Sequence, residues 1–189
     1  DTTSVTLKWK SIKAVRGYAV YKVDSKGKRT LIKRVRENSF KIKKLTAGTT
    51  YNYAVRAYVL DGKKIIYAPE YTAIKAATQP LPTAEITAKQ NDKSISLSWK
   101  KSKGATGYRV YRYNTEKNKW ITVCSYTKSN KLTVKKLSSG RKYKFAVKSC
   151  TDTGNKLVFS KMSESIITCT KPSKAVVKTT PYKNAVKLE

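Results

Sequence analysis

The feature that most restricts what this chain can fold into is that it repeats itself. Val5-Thr6-Leu7-Lys8-Trp9-Lys10 returns as Ile95-Ser96-Leu97-Ser98-Trp99-Lys100, 90 residues on. Gly17-Tyr18-Ala19-Val20-Tyr21 returns as Gly107-Tyr108-Arg109-Val110-Tyr111, and Tyr51-Asn52-Tyr53-Ala54-Val55 returns as Tyr143-Lys144-Phe145-Ala146-Val147, with the offset drifting to 92. A period this long exceeds one helical solenoid unit and suits a whole small domain repeated in tandem. A third copy opens at Lys171-Pro172, where Ala185-Val186-Lys187-Leu188 parallels Ser94-Ile95-Ser96-Leu97. The expected organisation is a domain over 1–78 lacking its opening strand, a linker at 79–82, a domain over 83–170, and the first strands of a third repeat over 171–189. Pro80 and Pro82 make the linker, because two prolines within three residues cannot support a central ladder and stiffen an extended connection.

Within each copy apolar residues alternate at period two, as in Val5/Leu7/Trp9, Ile95/Leu97/Trp99 and Tyr143/Phe145/Val147. That spacing, in segments rich in Val, Ile, Thr and Tyr, predicts strands. Gly-containing breaks such as Asp61-Gly62 and Thr153-Gly154-Asn155 separate them at hairpin spacing. Strands are expected at 4–10, 17–24, 29–35, 39–43, 51–60 and 65–77, then at 83–88, 94–100, 107–114, 119–126, 131–135, 142–151 and 158–169. The fold class is therefore all-β, with two tandem seven-stranded immunoglobulin-like sandwiches.

These residues resemble the fibronectin type III family over essentially the whole chain. The resemblance rests on a tryptophan in the second strand (Trp9, Trp99), Gly-Tyr-x-Val in the third (with Tyr18 and Tyr108), and Leu-x-x-Gly-x-x-Tyr before the sixth. The last motif stands as Leu45…Gly48…Tyr51 and as Leu137…Gly140…Tyr143. It resembles the tyrosine corner, in which the hydroxyl bonds back to nearby backbone. The resemblance implies a structural role for all ten of these residues: leucine plugs the core, glycine permits the turn, and tyrosine buries its ring. The wording of the repeats is similar to modules found in tandem in secreted and wall-anchored proteins of Gram-positive gut bacteria, which implies an extracellular or cell-wall location and a spacer or adhesive role. No Arg-Gly-Asp stands between the sixth and seventh strands, so binding through that motif is not implied.

The composition excludes several chemistries. With no histidine in 189 residues, a histidine-dependent triad is impossible and the commonest metal ligand is missing. The 11 acidic residues are scattered without the spacing of a carboxylate pair or a calcium cage. No enzyme, metal or cofactor is expected. Cys124, Cys150 and Cys169 lack metal or redox spacing; they read either as small apolar residues or as one disulfide plus a free thiol. No run approaches the ~20 apolar residues that cross a bilayer.

Lys+Arg number 42, giving a net charge of +31, and 34 of those residues are lysines. Lysine on exposed strands blocks edge pairing and aids solubility, yet a mixture of signs would do the same without the self-repulsion. A polyanionic environment is the natural remedy. Lysine makes point-charge contacts where arginine reads phosphate or guanine bidentately, so an anionic glycan or wall polymer is favoured over nucleic acid, which remains a distant alternative through non-specific attraction. The expected binding face is the outward side of the sheet formed by the third, fourth, sixth and seventh strands. Arg109, Arg112, Tyr113, Trp120, Lys144 and Lys148 supply it in the second copy, and Lys28, Arg29, Lys33, Arg34 and Arg56 in the first. Trp120, without an aromatic counterpart in the first copy, reads either as sandwich packing or as an exposed docking residue, which leaves specific recognition of a host surface protein as the alternative function. Residues 171–189 are also candidates for strand exchange with neighbouring repeats.

Overall fold

Alternating burial decides which way each segment faces. Val5 and Leu7 are buried while Thr6 and Lys8 are exposed, and Ile95 and Leu97 repeat the pattern ninety residues later. A chain that hides every second side chain pays for its backbone hydrogen bonds by pairing with a neighbour, and it makes sheets. The computed structural model describes residues 1–182 and 185–188, and among them there is no helix.

The first copy consists of β1 (Val5–Lys8), β2 (Gly17–Val23), β3 (Arg29–Val35), β4 (Ser39–Ile42), β5 (Thr50–Asp61), β6 (Lys64–Tyr67) and β7 (Thr72–Ala77). They form a two-stranded sheet β1-β4 facing a sheet of order β3-β2-β5-β6, with β7 also paired to β5. The second copy consists of β8 (Thr87–Gln90), β9 (Ile95–Ser98), β10 (Gly107–Asn114), β11 (Lys119–Thr127), β12 (Lys131–Val134), β13 (Lys142–Asp152), β14 (Leu157–Phe159) and β15 (Ile166–Cys169). Its sheets are β12-β9-β8 and β11-β10-β13-β14, with β15 on β13. The extra strand β8 pairs with β9 from Thr87↔Ser98 to Gln90↔Ile95, on an edge that β1 leaves unpaired.

Each sandwich has its own core. One gathers Val5, Leu7, Tyr18, Val20, Tyr53 and Val55 with Trp9 packed against them. The other gathers Ile95, Leu97, Trp99, Tyr108, Val110, Phe145 and Val147. Trp9 meets Tyr18 edge-on at 5.4 Å and 66°, and Trp99 meets Tyr108 at 5.4 Å and 68°. The Tyr51 hydroxyl accepts the Thr46 N–H and the Tyr143 hydroxyl accepts the Ser138 N–H, each at 2.9 Å.

Three expected strands need correction. The spans 65–77 and 158–169 each break in two. In the first copy Pro69, which has no N–H to donate, lies between β6 and β7. In the second, serine side chains replace ladder bonds: the Ser160 hydroxyl accepts the Ser149 N–H at 3.2 Å and the Ser163 hydroxyl accepts the Val147 N–H at 2.9 Å. The span expected at 83–88 becomes a strand only at 87–90, because Glu85 takes a left-handed backbone with φ of 53°.

The junction between the copies is tightly bonded. Gly48 donates its N–H to Gln79 O at 3.0 Å, Leu81 donates to Lys103 O at 3.3 Å, and the Ser149 hydroxyl donates to Leu81 O at 2.5 Å. Gly48, at φ +61°, abuts Gly104 so closely that an added Cβ would lie 2.1 Å from the Gly104 carbonyl oxygen. β16 (Thr179–Tyr182) and β17 (Ala185–Leu188) pair antiparallel with each other and with no other described strand. The strand-exchange expectation for 171–189 is thus not met within this chain, and the side chains of Val186 and Leu188 lie outside the described residues.

Candidate binding faces of the two copies

Strand parity sorts the expected site residues. On β2 the odd positions Ala19, Tyr21 and Val23 point away from the core, pairing with Arg34, Leu31 and Arg29 of β3. On β5 the outward residues include Asn52, Ala54, Arg56 and Tyr58. The result is a ladder. The Arg29 guanidinium lies 4.2 Å from the Tyr71 ring, and that of Arg56 lies 4.7 Å from Tyr71 and 5.2 Å from Tyr67. Arg34 follows, at 5.9 Å from Tyr67. Ala19, fully buried, pairs with both Arg34 and Arg56, so the two arginine stems close over a residue too small to interfere.

Two of the three arginines of this ladder also donate hydrogen bonds within it. Arg34 Nε and Nη2 both donate to the Tyr67 hydroxyl, at 3.0 and 2.7 Å. Arg56 donates to the Ala68 carbonyl through Nε and to the Tyr71 hydroxyl at 3.2 Å through Nη1. Burial, and then the neighbouring Tyr67 and Tyr71 hydroxyls, hold the Tyr21 phenol above its ordinary value, with Arg56 opposing. The bond to Tyr67 correspondingly raises Arg34. Lys28 and Lys33 do not join the ladder. Lys28 N–H donates to Asp24 in the β2–β3 turn, and Lys33 pairs with the core-facing Val20, which puts it on the opposite side of the strand.

In the second copy Arg109, Tyr111 and Tyr113 of β10 face outward, with Lys144 and Lys148 of β13 and Trp120 of β11. Arg109 lies 4.2 Å over Phe159 and donates Nε to Ser125 O at 2.9 Å. Lys148 stands 6.0 Å from Tyr111. Lys144 stands 5.5 Å from Tyr113 and 5.8 Å from Trp120, and those two rings meet edge-on at 5.3 Å. Trp120 is half-buried on the edge strand β11, and the Tyr113 hydroxyl donates to Asn118. Arg112 corrects the expected face: it pairs with Phe145 and Ile121, pointing to the inner side, where its guanidinium lies 5.6 Å from the Tyr143 ring. It nevertheless meets Lys144 again at the end of the sheet, in an open cleft of about 550 Å³ lined by Arg112, Tyr113, Glu116, Lys142, Tyr143 and Lys144.

Tyr67 and Tyr71 were missed by sequence reasoning. The signal was present in the outward parity of Tyr21, Tyr58 and Tyr67, but Tyr71 lies past Pro69, outside any alternation. The cations facing solvent find few acids: among the described residues the one ion pair is Lys100–Glu85 at 2.9 Å, with both side chains about two-thirds exposed. None of the three thiols is bonded to another. Cys150 is buried, Cys124 half-buried and Cys169 exposed. Burial pushes the Cys150 thiol up to about 11, Arg109 opposing and Asp152 adding. Among the described residues no cluster of acids and thiols is grouped to hold a metal ion, and no helix is long and apolar enough to cross a membrane.

Two packed sandwiches of this strand order, each with a tyrosine bonded back across its turn, are immunoglobulin-like modules. The family model for the fibronectin type III domain matches residues 1–72 and 80–166, and the chain belongs to that family. Members of it are typically non-catalytic modules. Among curated proteins, the chain is 28% identical over 108 residues to an amylopullulanase of Thermoanaerobacterium saccharolyticum, covering 53% of this chain and 8% of that protein. It is 24% identical over 111 residues to the amylopullulanase of Thermoanaerobacterium thermosulfurigenes, covering 55% of this chain and 6% of that one. The chain therefore spans less than a tenth of the length of these relatives. Among solved structures, a two-domain fibronectin type III segment of chicken tenascin is 20% identical, with a TM-score of 0.46, covering 88% of this chain and 91% of that one.

Proposed function

We propose that this chain is a non-catalytic, extracellular repeat segment of a bacterial surface or secreted protein, which spaces its neighbours and attaches to anionic glycans or wall polymers. Residues 171–189 are the start of a further repeat, and neighbouring repeats are their packing partners. The observation that carries the attachment is a net charge of +31 with one ion pair among the described residues. Charges left without internal partners attract a polyanion, by a field that reaches about 10 Å at 0.1 M salt. The resemblance of part of the chain to accessory regions of amylopullulanases supports a modular role beside other domains.

The test is retention on immobilised polygalacturonate and on teichoic acid at low and at physiological salt. Diffuse attraction gives strong retention that falls steeply with salt. A chain that is not retained on either at low salt removes this function. A second reading, docking on a host surface protein, is favoured by the half-exposed Trp120 beside Tyr113. In that case salt slows association while leaving dissociation nearly unchanged.

A further inference from the structure

Most of the basic surface carries no shape that would select a ligand. The cleft at the β10–β13 end of the second copy does. Arg112 arrives from the inner side of β10, Tyr113 from the outer side, and Lys142 and Lys144 from β13. The cleft thus brings together cations from both faces of one sheet, against a single acid, Glu116. Its volume of about 550 Å³ lies within the range that holds small ligands. Trp120 lies beside the cleft on the edge strand, its ring edge-on at 5.3 Å to Tyr113, which lines the cleft, and 5.8 Å from the Lys144 ammonium.

We propose that this cleft is a subsite for an acidic oligosaccharide, a proposal that rests on the anionic-glycan reading above. The anionic group of one residue, a carboxylate or a sulfate, is held by Arg112, Lys142 and Lys144. The C–H face of the adjoining residue lies against Trp120 and Tyr113, and Glu116 accepts from a sugar hydroxyl. The combination selects among polyanions. A glycerol-phosphate polymer has no ring face for the aromatic wall. A nucleic acid spaces its phosphates regularly and favours planar arginine contacts and fully stacked bases, whereas two of the three cations here are lysines. An acidic sugar uses the cations, the lone acceptor and the half-exposed ring together. In the first copy the position of Trp120 has no aromatic, and the place of Lys144 is taken by Asn52, so the site belongs to the second copy alone.

The experiment uses the full chain and four probes: tetragalacturonate, a heparin-derived tetrasaccharide, maltotetraose and a single-stranded tetranucleotide. Binding is measured by calorimetry at low and at physiological salt, and Trp fluorescence is followed in parallel. The two acidic sugars are expected to bind and the neutral one not, the tighter of the acidic pair telling carboxylate from sulfate. A Lys142→Ala/Lys144→Ala variant is expected to lose tenfold or more, while a charge-matched Lys89→Ala/Lys131→Ala variant on the opposite sheet loses less than threefold. Trp120→Ala is expected to lose about tenfold at physiological salt; should it fail to fold, Lys144→Glu serves in its place. Equal losses in the two lysine pairs, with polyanion retention intact, overturn the subsite and leave diffuse attachment standing. An oligonucleotide that binds more tightly than both acidic sugars overturns it as well. If no polyanion of any length is retained, it is the underlying reading that fails.

Discussion

The two copies begin from corresponding outward positions and reach opposite results. Arg56 corresponds to Lys148, Tyr67 to Phe159 and Tyr71 to Ser163, each 92 residues on. In the first copy the guanidiniums lie over tyrosine rings and donate to tyrosine hydroxyls, so the face closes on itself. In the second, phenylalanine offers no hydroxyl, Ser163 turns inward to the Val147 N–H, and the lysines keep their donors for a ligand. A cation beside an aromatic ring is the more available to a ligand the fewer of its donors are engaged within the protein. Exposed charge alone does not separate the two copies.

The largest expected difference lies at the two turns of the tyrosine-corner motif. Gly48 and Gly140 both adopt left-handed backbone, at φ +61° and +65°, so alanine strains either by about 1 kcal/mol. At Gly140 the nearest atom to an added Cβ is 4.0 Å away, in Pro172, whereas at Gly48 the Gly104 backbone is already at 2.1 Å. Gly140→Ala is expected to cost about 1 kcal/mol. Gly48→Ala is expected to cost about 3 kcal/mol or more, because backbone must move and the bond to Gln79 goes with it. Thermal unfolding with small-angle scattering reads both effects, the second as a longer particle. Equal costs would show that the copies do not bear on one another at this glycine pair.

The next difference is in alkali. The Cys150 thiol is pushed from its ordinary 9.0 up to about 11, and the Tyr53 phenol from 10.0 up to about 12, burial being the larger cause in each case and Tyr51 adding to the second. Both groups are neutral in the folded core, and the folded state holds their protons more tightly than the unfolded chain. Their stabilisation is complete below the unfolded values and is lost as pH rises toward the folded ones, at most about 2 to 3 kcal/mol each. The second copy should therefore weaken between pH 9 and 11 and the first between 10 and 12. Lysine deprotonation is common to both, so the readout is the gap between their unfolding transitions from pH 8 to 11. Cys150→Ala should abolish the earlier weakening. If it does not, the thiol is not the cause.

A smaller effect separates the cores. Tyr53 and Phe145 are equivalent and fully enclosed, but the Tyr53 hydroxyl has no hydrogen-bond partner among the described residues. Tyr53→Phe is expected to stabilise the first copy by about 1 kcal/mol, raising its Tm by about 4 °C. A loss of stability instead would mean that the hydroxyl finds a partner in solution.

The sandwiches were legible because burial alternates with the sequence: Val5/Leu7/Trp9 and Ile95/Leu97/Trp99 state their own strands. What was not legible was local exchange of one hydrogen-bonding group for another. Ser160 and Ser163 look like ordinary strand residues, and only the geometry shows their hydroxyls replacing ladder bonds. Thr78 and Thr170 fall one residue past the last expected strand of each copy, yet both are buried, where their hydroxyls donate to Thr46 O and Ser138 O and clasp the tyrosine corner. On the candidate face, lysine and arginine positions could be read from composition and parity. Lys33 is not fixed by the sequence, because exposed β3 carries no apolar alternation, whereas Arg112 follows the parity of the core residues Val110 and Tyr108 two and four residues before it, which outweighs its charge.

The smallest expected effect tests the comparison most directly. Arg56→Ala removes a guanidinium held between two rings, two donated bonds, and a stem that covers Ala19. Cation–aromatic contacts of this kind contribute on the order of 1 kcal/mol, and the lost stem adds exposed apolar surface. Lys148→Ala removes an ammonium 6.0 Å from Tyr111 with no hydrogen bond to a described residue, and should cost a few tenths of a kcal/mol at most. On an acidic surface the order should reverse, with Lys148→Ala weakening retention and Arg56→Ala leaving it nearly unchanged, although each removes one positive charge. If both variants lose retention equally, the field of the whole chain does the attaching, and the division between a closed ladder and an open face has no functional consequence.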